Sequence, residues 1–215
     1  MIRAFVFDFD GLILDTESAL IRSYADVHAA HSVPFDEAVF LRAVGHVDFT
    51  FDPWLAFGPT AIHATLEAER QQRKQGRLEL LPPLPGVIAL LDEARAAGLH
   101  VAIASNSEHA WVEPHLKRLG IFDRFAFLAC REDVASPKPE PDLYKLVLQH
   151  FGLRAHEAVA FEDSHTGSIA AKRAHLHTVA APGPSTAHHD FKHVDLLVKS
   201  LAEVTIPSLR QRFEK

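Results

Sequence analysis

Five short apolar runs recur along the chain without alternating polar and apolar residues, at 4–8, 99–104, 158–161, 177–180 and 196–198. A weaker run lies at 125–128. A strand with one face in water alternates with period two, so unbroken runs predict strands buried on both faces, as in a parallel sheet. Helix-period segments separate them at 87–97, 108–119, 141–151 and 166–174, and Gly98, Gly120 and Gly152 close the first three. Glycine just past the last periodic residue is the expected helix stop. Strand and helix in alternation predict a doubly wound, Rossmann-like α/β fold. In such a fold the active residues lie at the carboxyl ends of the strands.

Residues 15–83 break that alternation. Segments 17–30, 35–44 and 60–75 read as helices, with a break at Gly58-Pro59, and Leu81-Pro82-Pro83-Leu84-Pro85-Gly86 marks a stiff return. The expected organisation is therefore an α/β core made of residues 1–14 and 84–215, with a small helical cap, 15–83, inserted over the active face. Phe49, Phe51, Trp54 and Phe57 read as cap core or as the lining of an apolar substrate pocket. Arg70, Arg73, Lys74 and Arg77 read as a solvated helix face.

Composition narrows the function. The 215 residues carry 22 Lys plus Arg against 28 Asp plus Glu, a formal charge of -6. Nucleic-acid phosphates are held by basic surfaces, so no nucleic-acid partner is expected. No apolar run reaches the ~18 residues a membrane helix needs, and Asp8 cuts the first run too short for a signal peptide. The expectation is a cytoplasmic protein with no membrane partner, a monomer or weak dimer. Cys130 is the only cysteine, so no intrachain disulfide can form. Of the 15 histidines, the densest group, His188, His189 and His193, follows Pro182-Gly183-Pro184-Ser185-Thr186 and reads as solvated loop.

The chemistry-bearing residues cluster at strand ends. Asp8 and Asp10 follow the first run, with Gly11 free to turn the backbone. Glu162 and Asp163 end the run at 158–161. In a doubly wound sheet these two ends meet at the switch point. Carboxylates gathered there repel unless a divalent cation sits among them, and Mg2+ suits oxygen ligands and substrate phosphate. Ser105 and Asn106 follow the run at 99–104 at a helix start, a cradle for phosphate oxygens. Lys138 stands between Pro137 and Pro139 and can offset phosphoryl charge.

Taken together, these motifs resemble the haloacid dehalogenase-like hydrolases. Asp8-Phe9-Asp10-Gly11-Leu12-Ile13-Leu14-Asp15-Thr16-Glu17 is similar to the first family motif, Ser105-Asn106 to the second and Lys138 to the third. Phe161-Glu162-Asp163-Ser164 with Gly167 is similar to the fourth. The helical insertion resembles the type-1 cap of the branch containing phosphoglycolate phosphatase and β-phosphoglucomutase. The resemblance implies an aspartyl-phosphate mechanism. Asp8 would be the nucleophile, and Asp10 the general acid and then base. Ser105, Asn106, Lys138 and Gly11 would hold the phosphoryl group. Mg2+ would be bound by Asp8, Asp10 through its backbone carbonyl, and Asp163, with Glu162 close by or ligating.

Departures discriminate within the family. Asp10 favours phosphate over carbon–halogen chemistry, since the dehalogenase branch lacks the second aspartate. Phosphonate hydrolysis calls for a lysine near the start of the cap, and 17–24 has none. A phosphosugar mutase is expected to carry an arginine just beyond the cap-loop glycine; here Gly45 is preceded by Arg42 and followed by His46, Val47 and Asp48. The expected function is a Mg2+-dependent phosphatase of a small phosphorylated metabolite such as a sugar phosphate. The alternatives are a β-phosphoglucomutase-like mutase, a receiver-like signalling domain, and a non-catalytic binding domain.

Overall fold

Ala4–Phe7 form β1, and each of its four residues is fully buried. The computed structural model describes residues 1–43, 52–58 and 63–214. Five more strands follow: β2 (His100–Ala104), β3 (Phe127–Ala129), β4 (Ala158–Glu162), β5 (His177–Ala180) and β6 (Leu196–Leu197). All pair in parallel, in the order β3-β2-β1-β4-β5-β6. The doubly wound fold expected from the unbroken apolar runs is the observed one. Successive strands are added to one side of β1 and then to the other, which places the switch point at the carboxyl ends of β1 and β4.

The strands alternate in size rather than polarity. Side chains on a strand point to opposite faces in turn. Phe5, Phe7, Val101, Ile103, Val159 and Phe161 therefore form a bulky face, covered by helices α4 (Val87–Ala96), α5 (His109–Arg118) and α8 (Ile206–Phe213). Phe7 stacks on Phe161 at 4.7 Å. Ala4, Val6, Ala102, Ala104, Ala158 and Ala160 form a small-residue face against α6 (Asp142–Phe151) and α7 (His165–Arg173). Both faces are apolar, so the sheet has no wet side.

Between β1 and α4 the chain makes α1 (Thr16–Ala30), α2 (Glu37–Ala43), a 3₁₀ turn (Leu55–Phe57) and α3 (His63–Leu80). The Asp15 side chain caps α1 by accepting from Ser18 N at 3.1 Å. These helices bury apolar groups of their own, Ile21 on Phe40, and Val27 on Trp54 and Leu66, with Tyr24 and Phe57 packed alongside. Trp54 and Phe57 thus belong to helix packing, whereas Phe49, Phe51 and the loop around Gly45 lie outside the described residues. Helix α3 continues past Gln75 through Gly76 to Leu80. Tertiary anchors offset the glycine: Leu78 is buried, and Arg77 pairs with Asp26 of α1 at 2.6 Å.

The solvated face expected for the basic residues of α3 holds at Arg73, which is exposed, and needs correction at Arg70. Arg70 is buried, with its guanidinium on the Glu67 carboxylate and over the Tyr24 ring. Arg73 pairs with Glu69 at 2.6 Å. Helix α8 lacks an apolar run long enough to announce it, yet Thr205 and Ser208 close a capping box around Pro207, which supplies a start signal. Among the described residues no helix is long and apolar enough to cross a membrane.

Candidate active site

Strand register sets the level of the site. Phe7 pairs with Ile103 on one side and Phe161 on the other. Asp8 therefore lies level with Ala104 and Glu162, and Ser105 and Asp163 stand one residue farther along at the same carboxyl edge of the sheet. Asp8 N donates to Phe161 O at 2.9 Å, which continues the ladder for one more bond. Asp8, Glu162 and Asp163 are all buried, with ligand oxygens within 4.8 Å of one another.

Lys138 reaches this cluster from the loop between β3 and α6. Its Nζ lies 2.6 Å from Asp8 Oδ1 and 2.6 Å from Glu162 Oε1. Asn106 holds the loop in place: Lys138 N donates to Asn106 Oδ1 at 2.9 Å, and Asn106 Nδ2 donates to Lys138 O at 3.1 Å. Both ends of that amide are engaged with backbone. The Tyr144 hydroxyl, from α6, donates to Glu162 Oε1 as well.

Burial dominates the electrostatics. It pushes the Asp8 carboxyl up; Lys138 pulls it down and Glu162 raises it again. Burial, then Asp8 and Glu162, raise Asp163 well above the carboxylate range. Burial also disfavours the Lys138 ammonium, but the Asp8 and Glu162 carboxylates outweigh it and raise the lysine. Three buried carboxyl groups thus face one buried ammonium. Ionised together they leave two negative charges uncompensated, in a wholly oxygen-donor setting. A hard divalent cation fits that deficit. Asp163 has the lightest protein contact, a 3.3 Å bond from Thr186 Oγ1, which leaves its oxygens available.

Asp10 stands apart from the cluster. Its Oδ1 accepts from Thr16 Oγ1 at 2.8 Å and Trp111 Nε1 at 2.9 Å, and its Oδ2 from Ser107 Oγ at 2.6 Å. Ser105 is buried and its Oγ accepts from Ser107 N at 3.0 Å, the turn that starts α5.

A cavity of about 530 Å³ opens over these groups. Asp8, Asp10, Ser105, Asn106, Lys138 and Asp163 line it from the sheet side. Glu17 and Leu20 of α1 and Lys74 of α3 close it from above. Lys74 Nζ lies over the Trp111 ring, 4.6 Å from its centroid, so this residue too departs from a solvated face. Burial lowers its ammonium, partly offset by Asp10 and Glu17. Burial, followed by the Asp10 charge, raises Glu17 to about 7.

Of the residues singled out in the sequence, Glu162 sits behind Lys138 rather than on the cavity wall. Gly11, at φ +79°, backs Asp163: a Cβ there would fall 2.2 Å from Asp163 Oδ2. Sequence reading missed Thr16, Ser107, Trp111, Lys74, Tyr144 and Thr186. Arg70, Lys74 and Arg77 share one helix face at i, i+4, i+7, a signal that could have turned them inward. In the loop after Pro182, Ser185 and Thr186 are buried, while His188 is exposed and His189 and His193 are half-buried.

Comparison with known proteins gives a concordant result. The family described as haloacid dehalogenase-like hydrolase matches residues 2–175. The Bacillus subtilis (strain 168) protein YhcW is 37% identical over 97% of this chain and 96% of its own. Hexitol phosphatase B of Escherichia coli K12 is 33% identical over 97% of this chain and 96% of its own. A solved structure of a CbbY variant from Rhodobacter sphaeroides, in complex with xylulose-(1,5)bisphosphate, superposes with a TM-score of 0.69. It is 29% identical, over 94% of this chain and 96% of that one.

Proposed function

The chain belongs to the haloacid dehalogenase-like hydrolases, and from that membership we propose that it is a Mg2+-dependent phosphatase of small phosphorylated carbohydrates. The observation that carries this reading is the pairing of Asp8 with Lys138 beside Asp10, beneath a cavity sized for a small metabolite. Residues 15–83 serve as the cap. Every group named comes from one chain, so the reading asks for no partner subunit, and a monomer or weak dimer in the cytoplasm completes it.

In this mechanism an Asp8 oxygen attacks phosphorus while the bond to the leaving oxygen breaks. Asp10 gives its proton to that oxygen, and the alcohol departs. Water then attacks the aspartyl-phosphate, Asp10 takes back a proton, and inorganic phosphate leaves with Asp8 restored. Lys138 and Ser105 hold the phosphoryl oxygens as charge gathers on them. Asn106 acts through the Lys138 backbone that it grips. Asp8, Asp163 and the Asp10 carbonyl would hold Mg2+, and Glu162 would steady the ion's surroundings through Lys138. The ion would supply charge neutralisation, allowing phosphate to approach an ionised Asp8.

The test is a panel of hexose and hexitol phosphates incubated with Mg2+ and followed by phosphorus NMR. Release of inorganic phosphate without a positional isomer is expected. An isomerised hexose phosphate forming faster than free phosphate, especially with catalytic bisphosphate present, would replace the phosphatase with the mutase.

A further inference from the structure

The Asp10 carboxylate meets three donors, and they are not equivalent. A carboxylate offers about four lone-pair sites, two on each oxygen. Thr16 and Trp111 occupy Oδ1, and Ser107 occupies one site of Oδ2. One position on Oδ2 remains among the described residues. The hydroxyls of Thr16 and Ser107 can each rotate to donate or to accept, so by themselves they leave either oxygen free to carry a proton. The indole N–H only donates. A proton on Oδ1 facing it would oppose two hydrogens.

We propose that Trp111 is a positioning residue for the hydrolysis: by donating to Asp10 Oδ1 it reserves Oδ2 as the oxygen that gives and takes the proton. This rests on the reading of Asp10 as the proton carrier. In the first half-reaction the bond between phosphorus and the leaving oxygen breaks as the Asp8–phosphorus bond forms. The Oδ2 proton goes to the leaving oxygen, which keeps the bonding pair. In the second, Oδ2 takes a proton from the water that attacks phosphorus. With Oδ1 held, the same oxygen serves both steps and the carboxyl need not turn between them.

The ring is held for this task on two further sides. Lys74 Nζ stands 4.6 Å over its face, and His115 meets it at 4.6 Å with the planes at 70°. Lys74 belongs to the cap helix α3, so the cap reaches Asp10 through the indole. A cation against the face draws on the ring's electrons, which strengthens the N–H as a donor.

The test uses leaving groups of different basicity. The ratio kcat/KM reports the steps up to departure of the first product, and a sugar alkoxide needs a proton there while 4-nitrophenolate does not. Trp111→Phe keeps the ring under Lys74 and removes the donor. It should lower kcat/KM on a sugar phosphate about 10- to 100-fold, a fraction of what general acid catalysis supplies. The loss should fall on kcat with KM held, and should be several-fold smaller on 4-nitrophenyl phosphate. Trp111→Tyr, whose hydroxyl can donate or accept, should show the same pattern more weakly and serves if the first variant melts early. An equal loss on both substrates, or a sugar-phosphate rate within twofold of the parent, overturns the assignment. Asp10→Asn run in parallel separates the two claims: full activity in that variant removes the proton-carrier reading itself, whatever Trp111 does.

Discussion

Lys138 Nζ and Asp8 Oδ1 stand 2.6 Å apart with both side chains nearly withdrawn from solvent. The lysine spans from Asp8 to Glu162, so its charge answers two carboxylates from different strands. Removing one partner of a buried ion pair leaves the other uncompensated. Lys138→Met should therefore lower unfolding free energy by about 3–5 kcal/mol without Mg2+. Urea titration in the presence and absence of Mg2+ checks it; a change below about 1 kcal/mol would mean that the carboxylates do not depend on the lysine.

Asp8→Asn keeps shape and burial while removing the carboxylate that the proposed mechanism uses as nucleophile. Turnover should disappear with the far-UV circular dichroism unchanged. Activity within tenfold of the parent would remove the covalent route.

Chelation with EDTA should silence the enzyme and added Mg2+ should restore it, because Asp8, Glu162 and Asp163 otherwise crowd like charges. Ca2+ should inhibit, since its larger and looser shell disturbs in-line geometry. Undiminished activity after exhaustive chelation would take the metal out of the account.

Gly11→Ala puts a methyl group where Asp163 Oδ2 now lies, at a backbone φ of +79°. Asp163 must move, so the concentration of Mg2+ giving half-maximal activity should rise at least tenfold. An unchanged Mg2+ requirement would show that Asp163 plays no part in holding the ion.

Glu17 gives a pH signature. Its folded pKa is raised to about 7, from the 4.5 of an unperturbed glutamate, by burial and then by Asp10. Between those values the folded state holds a proton that the unfolded state has released, so stability falls as pH rises through that window. Glu17→Gln abolishes this dependence. The melting temperature of the variant relative to the parent should climb from pH 4.5 to pH 7.5. A constant difference across that range would place Glu17 in an unperturbed setting.

The sheet and most of the acid cluster could be read locally. Runs without polar alternation predict strands covered on both faces, and Asp8 ends one such run, Ser105 follows another and Glu162-Asp163 a third, so the ends of three strands carried the information. Lys138 was legible because flanking prolines forbid a helix around it. What those residues touch was not legible. Asn106 grips the Lys138 backbone 32 residues away, and Glu162 accepts from both Lys138 and Tyr144, contacts that no local pattern announces.

The same division holds for the helices between β1 and α4. Helix α1 follows from its Asp15 cap and its apolar period, which are features of neighbouring residues. That Arg70 faces inward and Lys74 the cavity depends on how α3 lies on α1 and over α5. Trp111 meets Asp10 across 101 positions of sequence. The sequence by itself determined which segments become strands and helices and which residues stand at their ends, because backbone periodicity and turn chemistry are settled within a few residues. Only the tertiary structure decided which side chain answers which, because strand order and helix docking bring distant segments together and burial then makes each polar group find a partner.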